Sequence, residues 1–95
     1  MDVDNWERLF KILANRRRLR IIKSLSERRE MPVSAVAKGI RLSFRSTSKH
    51  LRILKTGDLV ENEQRSLQVY YRLNSDLPLV VRYFLETTPN SNSRE

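Results

Sequence analysis

Arg45, Ser48, Lys49 and Arg52 recur at i, i+3, i+4 and i+7, a spacing that gathers them on one face of a helix. Guanidinium and ammonium groups donate hydrogen bonds to the acceptors of a guanine edge, a serine hydroxyl serves several base edges, and both cations attract phosphate. Thr47, Leu51 and Leu54 fall opposite them, so one face packs and the other meets something anionic. The charge is also concentrated. From Met31 to Gly57 there is no acidic residue, while Lys38, Arg41, Arg45, Lys49, Arg52 and Lys55 are basic. A solvated helix face is the ordinary reading of such a run. Two short helices and a tight turn surrounding this face, with a hairpin after it, favour duplex DNA instead, because a winged helix-turn-helix needs that arrangement.

Other chemistries lack their parts. Two glycines, one histidine and scattered carboxylates supply no nucleophile with its base, no carboxylate pair and no glycine loop for phosphate. No catalytic residue, cofactor or enzymatic activity is therefore expected. The chain has no cysteine, which removes disulfides and thiolate metal sites.

The elements that must carry the basic face follow from periodicity. Asp4 is the expected N-cap of a first helix with Trp6, Leu9, Phe10 and Leu13 on one side. Asn15 suits the cap of a second helix to about Leu25, with Leu19, Ile22 and Leu25 inward, before a charged loop at Glu27 to Glu30. Pro32 opens a short third helix, and Gly39 suits the left-handed position at its end. Ser43 caps the candidate recognition helix, residues 44–56, which Gly57 ends. Leu67, Val69, Tyr71 and Leu73 alternate with Gln68, Tyr70 and Arg72 as in a half-buried strand, and Leu59 to Glu63 can pair with it. Gln64, Arg65 and Ser66 form the turn, without the glycine signal that would fix the register. A last helix after Ser75 carries Leu77, Val80, Val81, Phe84 and Leu85. The expected fold is mainly α with a two-stranded β-wing, in the order α-α-α-α-β-β-α. One domain spans 1–88, and 89–95 form a flexible tail.

The 95 residues carry a net charge of +8, which favours polyanions before any sequence preference enters. Apolar stretches are far shorter than the roughly 20 residues of a membrane span, and the start Met1-Asp2-Val3-Asp4 is acidic where a signal peptide is basic. A cytoplasmic protein without membrane contact is expected.

The stretch from Leu42 through Ser43, Ser46, Ser48, His50 and Leu51 to Leu54, continuing to Leu59-Val60, resembles without gaps the recognition helix and following strand of ArsR-family repressors. Leu9 to Ala14 with Arg18 to Ile22, and Val69 to Leu73, resemble the family's opening helices and second wing strand. The resemblance implies a winged-helix homodimer on a two-fold operator, and a repressor. It places Ser43, Phe44, Arg45, Ser46, Ser48, Lys49, His50 and Arg52 at the major groove and Arg65 near the backbone or minor groove. It also implies a dimer interface from the first and last helices: Trp6, Leu9, Phe10, Leu13, Leu77, Val80, Val81 and Phe84. Ordinary core packing is the competing account of those stripes. Phe44 either touches a thymine methyl or staples the turn. His50 hydrogen-bonds backbone or phosphate rather than binding a metal, and Arg16, Arg17, Arg18 and Arg20 either meet flanking phosphates or are solvated. Many family members sense metals. With no Cys, and no His near Asp76 or Glu86, no metal is expected here. The rival to DNA binding is a winged helix for protein or RNA interaction.

Overall fold

The computed structural model describes residues 1–90. The expected tail lies, from residue 91 onward, outside the described residues. The elements are α1 (Val3–Leu13), α2 (Arg16–Arg28), β1 (Glu30–Pro32), α3 (Val33–Ile40), α4 (Phe44–Thr56), β2 (Val60–Arg65), β3 (Gln68–Leu73) and α5 (Leu79–Thr87). This is a winged helix-turn-helix, with α3 and α4 as the helix pair and the β2–β3 hairpin as the wing.

Side-chain caps set three helix starts. Asp2 Oδ1 accepts from the Asn5 amide at 2.9 Å, Asn15 Oδ1 from Arg18 at 3.0 Å, and Ser43 Oγ from Ser46 at 3.1 Å. α1 thus begins one half-turn before the expected Asp4, because Asp2 supplies the cap and its carbonyl takes the first helical bond, from Trp6. α5 starts after Pro78 rather than Ser75.

The helix ends correct the expectation for Gly39, while Gly57 caps the end of α4 as expected. Gly39 lies inside α3, and Arg41 takes the left-handed conformation, φ 58° and ψ 51°. The Leu42 amide donates to the Ala37 carbonyl at 3.0 Å and the Arg41 amide to Lys38 at 3.3 Å, the paired bonds of a Schellman motif. α4 ends the same way: Asp58 has φ 59°, Leu59 donates to Leu54 at 3.1 Å and Asp58 to Lys55 at 3.0 Å. Gly57 has a negative φ and is there for space, since a Cβ would come within 2.7 Å of Ile12 Cδ1.

The sheet has three strands, not two, in the order β1-β3-β2 and antiparallel throughout. α2 runs on to Arg28 and Arg29 turns at φ 66°, so the expected loop is helix end plus β1. Met31 faces Tyr71 across β1 and β3, and both are buried. Arg65 pairs with Gln68, so the turn residues are Ser66 and Leu67, and Leu67 is 95% exposed rather than on the inward face.

The core is continuous from α1 to α5. Ile21, Ile22, Leu25, Val36, Leu51, Leu54 and Leu59 are its fully buried centre. At about 1.5–3 kcal/mol for each buried aliphatic side chain, this centre fixes α4 against α2 and α3. No helix among the described residues is long and apolar enough to cross a membrane.

Candidate nucleic-acid interface

The core anchors the inner side of α4 through Thr47, Leu51 and Leu54, and the rotation of about 100° per residue then assigns every other position. Arg45 and Lys49 point away from the core and are exposed. Phe44, Ser48, Arg52 and Lys55 turn toward the wing, and line a common groove with it. Ser46 and His50 fall on the opposite flank, toward α2, and are half-buried. The expected residues of α4 are therefore assembled on one surface, with Ser43 at its N-terminal edge and Phe44 60% exposed beside it.

His50 is tied to α2 by Arg18. The Arg18 guanidinium donates from Nε to the Ile12 carbonyl at 2.6 Å, from Nη2 to the Lys11 carbonyl at 3.3 Å, and lies with Nη1 3.3 Å from His50 Nδ1. It closes the end of α1 and positions the imidazole at once. An arginine only donates, so Nδ1 is the acceptor and the neutral ring carries its proton on Nε2. Burial, then the positive charges of Arg18, Arg17 and Lys49, lower the His50 pKa below its ordinary value. Arg18, read from sequence as a surface cation, is thus a positioning residue.

The cations divide into two kinds. Among the described residues Arg45, Lys49, Arg52 and Lys55 make no ion pair, whereas those of the wing are all engaged. Arg65 grips Glu30 with both terminal nitrogens, at 3.0 and 2.6 Å, reaches Glu63 at 2.9 Å, and stacks 4.6 Å above the Tyr70 ring. Arg72 joins the network through Glu61 at 3.1 Å and Glu30 at 3.5 Å. Hydrogen bonding to Arg65 lowers the pKa of both Glu30 and Glu63, and that of Arg65 rises correspondingly. The expected wing contact is therefore occupied within the chain. The sequence held one sign of it: Glu61, Glu63 and Arg65 alternate on β2, but their partners depend on a register that the turn residues did not fix.

The expected dimer residues separate. Leu9 and Val81 are buried at 6% and 1% exposure, so for them the core account holds, because each side chain points beneath its helix. Trp6 and Phe10 are exposed, with ring centroids 5.3 Å apart, and Leu13, Leu77, Val80 and Phe84 are half-buried. Val3 at 80%, Leu79 at 77% and Tyr83 at 67% extend the same apolar surfaces on α1 and α5, and were missed.

Comparison with known proteins bears on these features. The family model of bacterial regulatory proteins of the arsR family matches residues 15–62, half of the chain. The chain belongs to that family. The arsenical resistance operon repressor of Escherichia coli K12 is 36% identical over 70 residues, covering 74% of this chain and 60% of the repressor. The HTH-type transcriptional regulator Rv0324 of Mycobacterium tuberculosis is 37% identical over 71 residues, 75% of this chain and 31% of the regulator. The chain thus spans less than a third of one of these relatives and three-fifths of the other. Among solved structures, the homodimeric winged helix-turn-helix DNA-binding domain Mb0332 from Mycobacterium bovis aligns with TM-score 0.75 and 35% identity, covering 86% of this chain and 73% of that domain. Reduced HlyU from Vibrio cholerae aligns with TM-score 0.74 and 30% identity, over 87% of this chain and 83% of HlyU. The family and the fold of this chain are those of DNA-binding transcriptional regulators, not of enzymes.

Proposed function

We propose that this arsR-family chain is a sequence-specific DNA-binding repressor that acts as a homodimer on a two-fold operator. α4 enters the major groove, with Arg45 and Lys49 nearest the base edges, Arg52 and Ser48 on the wing side, and Ser43, Ser46 and His50 along the flanking backbone. The observation that carries this reading is the set of exposed cations, without an ion pair among the described residues, on the side of α4 opposite its buried stripe. Such a face has one efficient partner: a groove lined with acceptors and flanked by phosphates. The His50 Nε2–H, kept protonated by the Arg18 contact at Nδ1, is a neutral donor suited to a phosphate oxygen. No metal is required by the reading. The homodimeric M. bovis domain and the repressor named among the relatives support the assembly and the regulatory sign.

The apolar surfaces of α1 and α5 supply the dimer contact, through Trp6, Phe10, Leu13, Leu77, Val80 and Phe84. Two α4 helices about 34 Å apart would then meet successive major grooves on one side of the duplex. Selection from a random duplex pool, followed by anisotropy titration against selected duplex, random duplex, single-stranded DNA and RNA, tests the function. A palindromic selected site bound at least about a thousandfold more tightly than random duplex is expected. Equal binding to all four would overturn sequence-specific recognition in favour of a protein- or RNA-interaction module. A monomeric mass by sedimentation at micromolar concentration would refute the dimer.

A further inference from the structure

Eight large hydrophobic side chains are exposed among the described residues. Six of them, Met1, Val3, Trp6, Phe10, Leu79 and Tyr83, lie on or beside the α1 and α5 surfaces assigned to the dimer. The other two, Phe44 and Leu67, are not accounted for by it, and both line the same groove. This groove, about 500 Å³, runs between α4 and the wing over the first turn of α3. Val33 and Tyr71 contribute buried surface to it, Val69 is half-buried on its wing side, and the Tyr71 hydroxyl is held by Asn62 Nδ2 at 3.2 Å. Arg52 and Lys55, one turn apart on α4, stand on its helix side without an acidic partner among the described residues.

We infer that this groove binds a small amphipathic monoanion, of the aromatic carboxylate class, and that the bound anion displaces DNA. The inference rests on the DNA-binding reading for its second half only. An apolar wall opposite two free cations matches a ligand with one apolar body and one carboxylate. A phosphodiester or inorganic phosphate would satisfy the cations but leave Phe44, Leu67 and Val69 uncovered. The volume lies within the range of about 300–1,000 Å³ usual for small-molecule sites. Ser48 and Arg52 belong both to the groove and to the DNA-facing surface, so an occupant and the duplex compete for them. The coupling is reciprocal: DNA weakens the ligand as the ligand weakens DNA.

Sodium 2-naphthoate is a suitable probe, with 2-naphthylmethanol as its uncharged counterpart. In amide NMR titrations of the full chain, naphthoate is expected to give saturable shifts centred on Ser34, Phe44, Lys55, Leu67 and Val69. The alcohol should bind about tenfold more weakly, as should naphthoate to Lys55→Gln, since each lacks one partner of a charge-assisted contact. Leu67→Ser, at an exposed turn position, should weaken both ligands. Anisotropy of a labelled duplex is then followed through the same titration, and the duplex should be released as the groove saturates. Shifts centred on Trp6 and Phe10, no saturable shifts, or equal binding of the alcohol would overturn the site. Duplex retained on a naphthoate-saturated chain would overturn the competition. The ligand arm uses no DNA, so a chain that binds no duplex refutes the DNA reading without touching the groove.

Discussion

Replacing Glu30 by Gln tests whether the wing's arginine is withheld from DNA. In the free chain Arg65 holds Glu30 with two hydrogen bonds at 3.0 and 2.6 Å and Glu63 with a third at 2.9 Å. Arg72 is drawn into the same cluster, in which the three carboxylates of Glu30, Glu61 and Glu63 outnumber two guanidiniums. A phosphate approaching the wing meets an engaged cation and a surplus negative charge. Glu30→Gln keeps the shape and one acceptor but removes the charge and the two-pronged grip. Each phosphate neutralised steepens the dependence of log K on log salt by about 0.9. Arg65, relieved of Glu30 though still within reach of Glu63, should therefore steepen the slope by up to that amount. Between 50 and 200 mM salt, the corresponding extra loss is a factor of up to about 3.5. Anisotropy titrations of the operator duplex at four salt concentrations measure it. The gain should vanish in Glu30→Gln/Arg65→Ala, a double-mutant cycle that isolates the pair. An unchanged slope in Glu30→Gln, or a gain that survives loss of Arg65, would refute the claim that this ion pair restrains the wing.

Arg45→Ala or Lys49→Ala should cost about 1–3 kcal/mol of operator affinity with relaxed preference at one position if the side chain reads a base; uniform weakening across sequences with a shallower salt slope would mark a phosphate contact instead. Gly39→Ala should stabilise the fold by up to about 1 kcal/mol in urea unfolding, since the residue is inside α3, its φ is not positive and nothing lies within 4 Å of an added Cβ. Destabilisation would mean that Gly39, not Arg41, carries the left-handed turn. Thr47 Oγ1 is buried without a hydrogen-bond partner among the described residues, so Thr47→Val should also stabilise, by about 1 kcal/mol, and a loss would reveal a partner for the hydroxyl. The His50 imidazole should titrate by NMR below its ordinary value of 6.5, with Nε2 as the protonated nitrogen at neutral pH. Because its folded pKa is depressed, the linked stability is full above the unfolded value and falls as the pH drops through the folded one; a midpoint above 6.5 would contradict the ring's burial beside Arg18, Arg17 and Lys49.

Local rules made some features legible from residue order and left others hidden. The caps Asn15 and Ser43 were readable because a side-chain oxygen and an amide three residues on settle the matter locally. The α4 face was readable for the same reason, since its register follows from Thr47, Leu51 and Leu54 alone. β1 was not, because three residues with one apolar side chain become a strand only against β3, forty residues away in sequence. Gly57 does end α4 as its C-cap, but Gly39 misled for a subtler reason. Glycine tolerates positive φ best, yet the left-handed position falls one residue before the apolar side chain that must return to the core. That side chain is half-buried Leu42 after α3 and fully buried Leu59 after α4. Burial of Leu59, about 1.5–3 kcal/mol, outweighs the strain of about 1 kcal/mol in Asp58, a residue type that tolerates the left-handed region, so packing chose the turn and the residue there complied. Long-range pairing hid the wing's chemistry too. Arg65 looks like a free cation in sequence, and only the β2–β3 register, with β1 alongside, brings Glu30 and Glu63 to it. The residues that sequence reading assigns best are therefore those on α4, whose orientation one helix determines. Those it misassigns sit where several elements must agree before a charge has a partner.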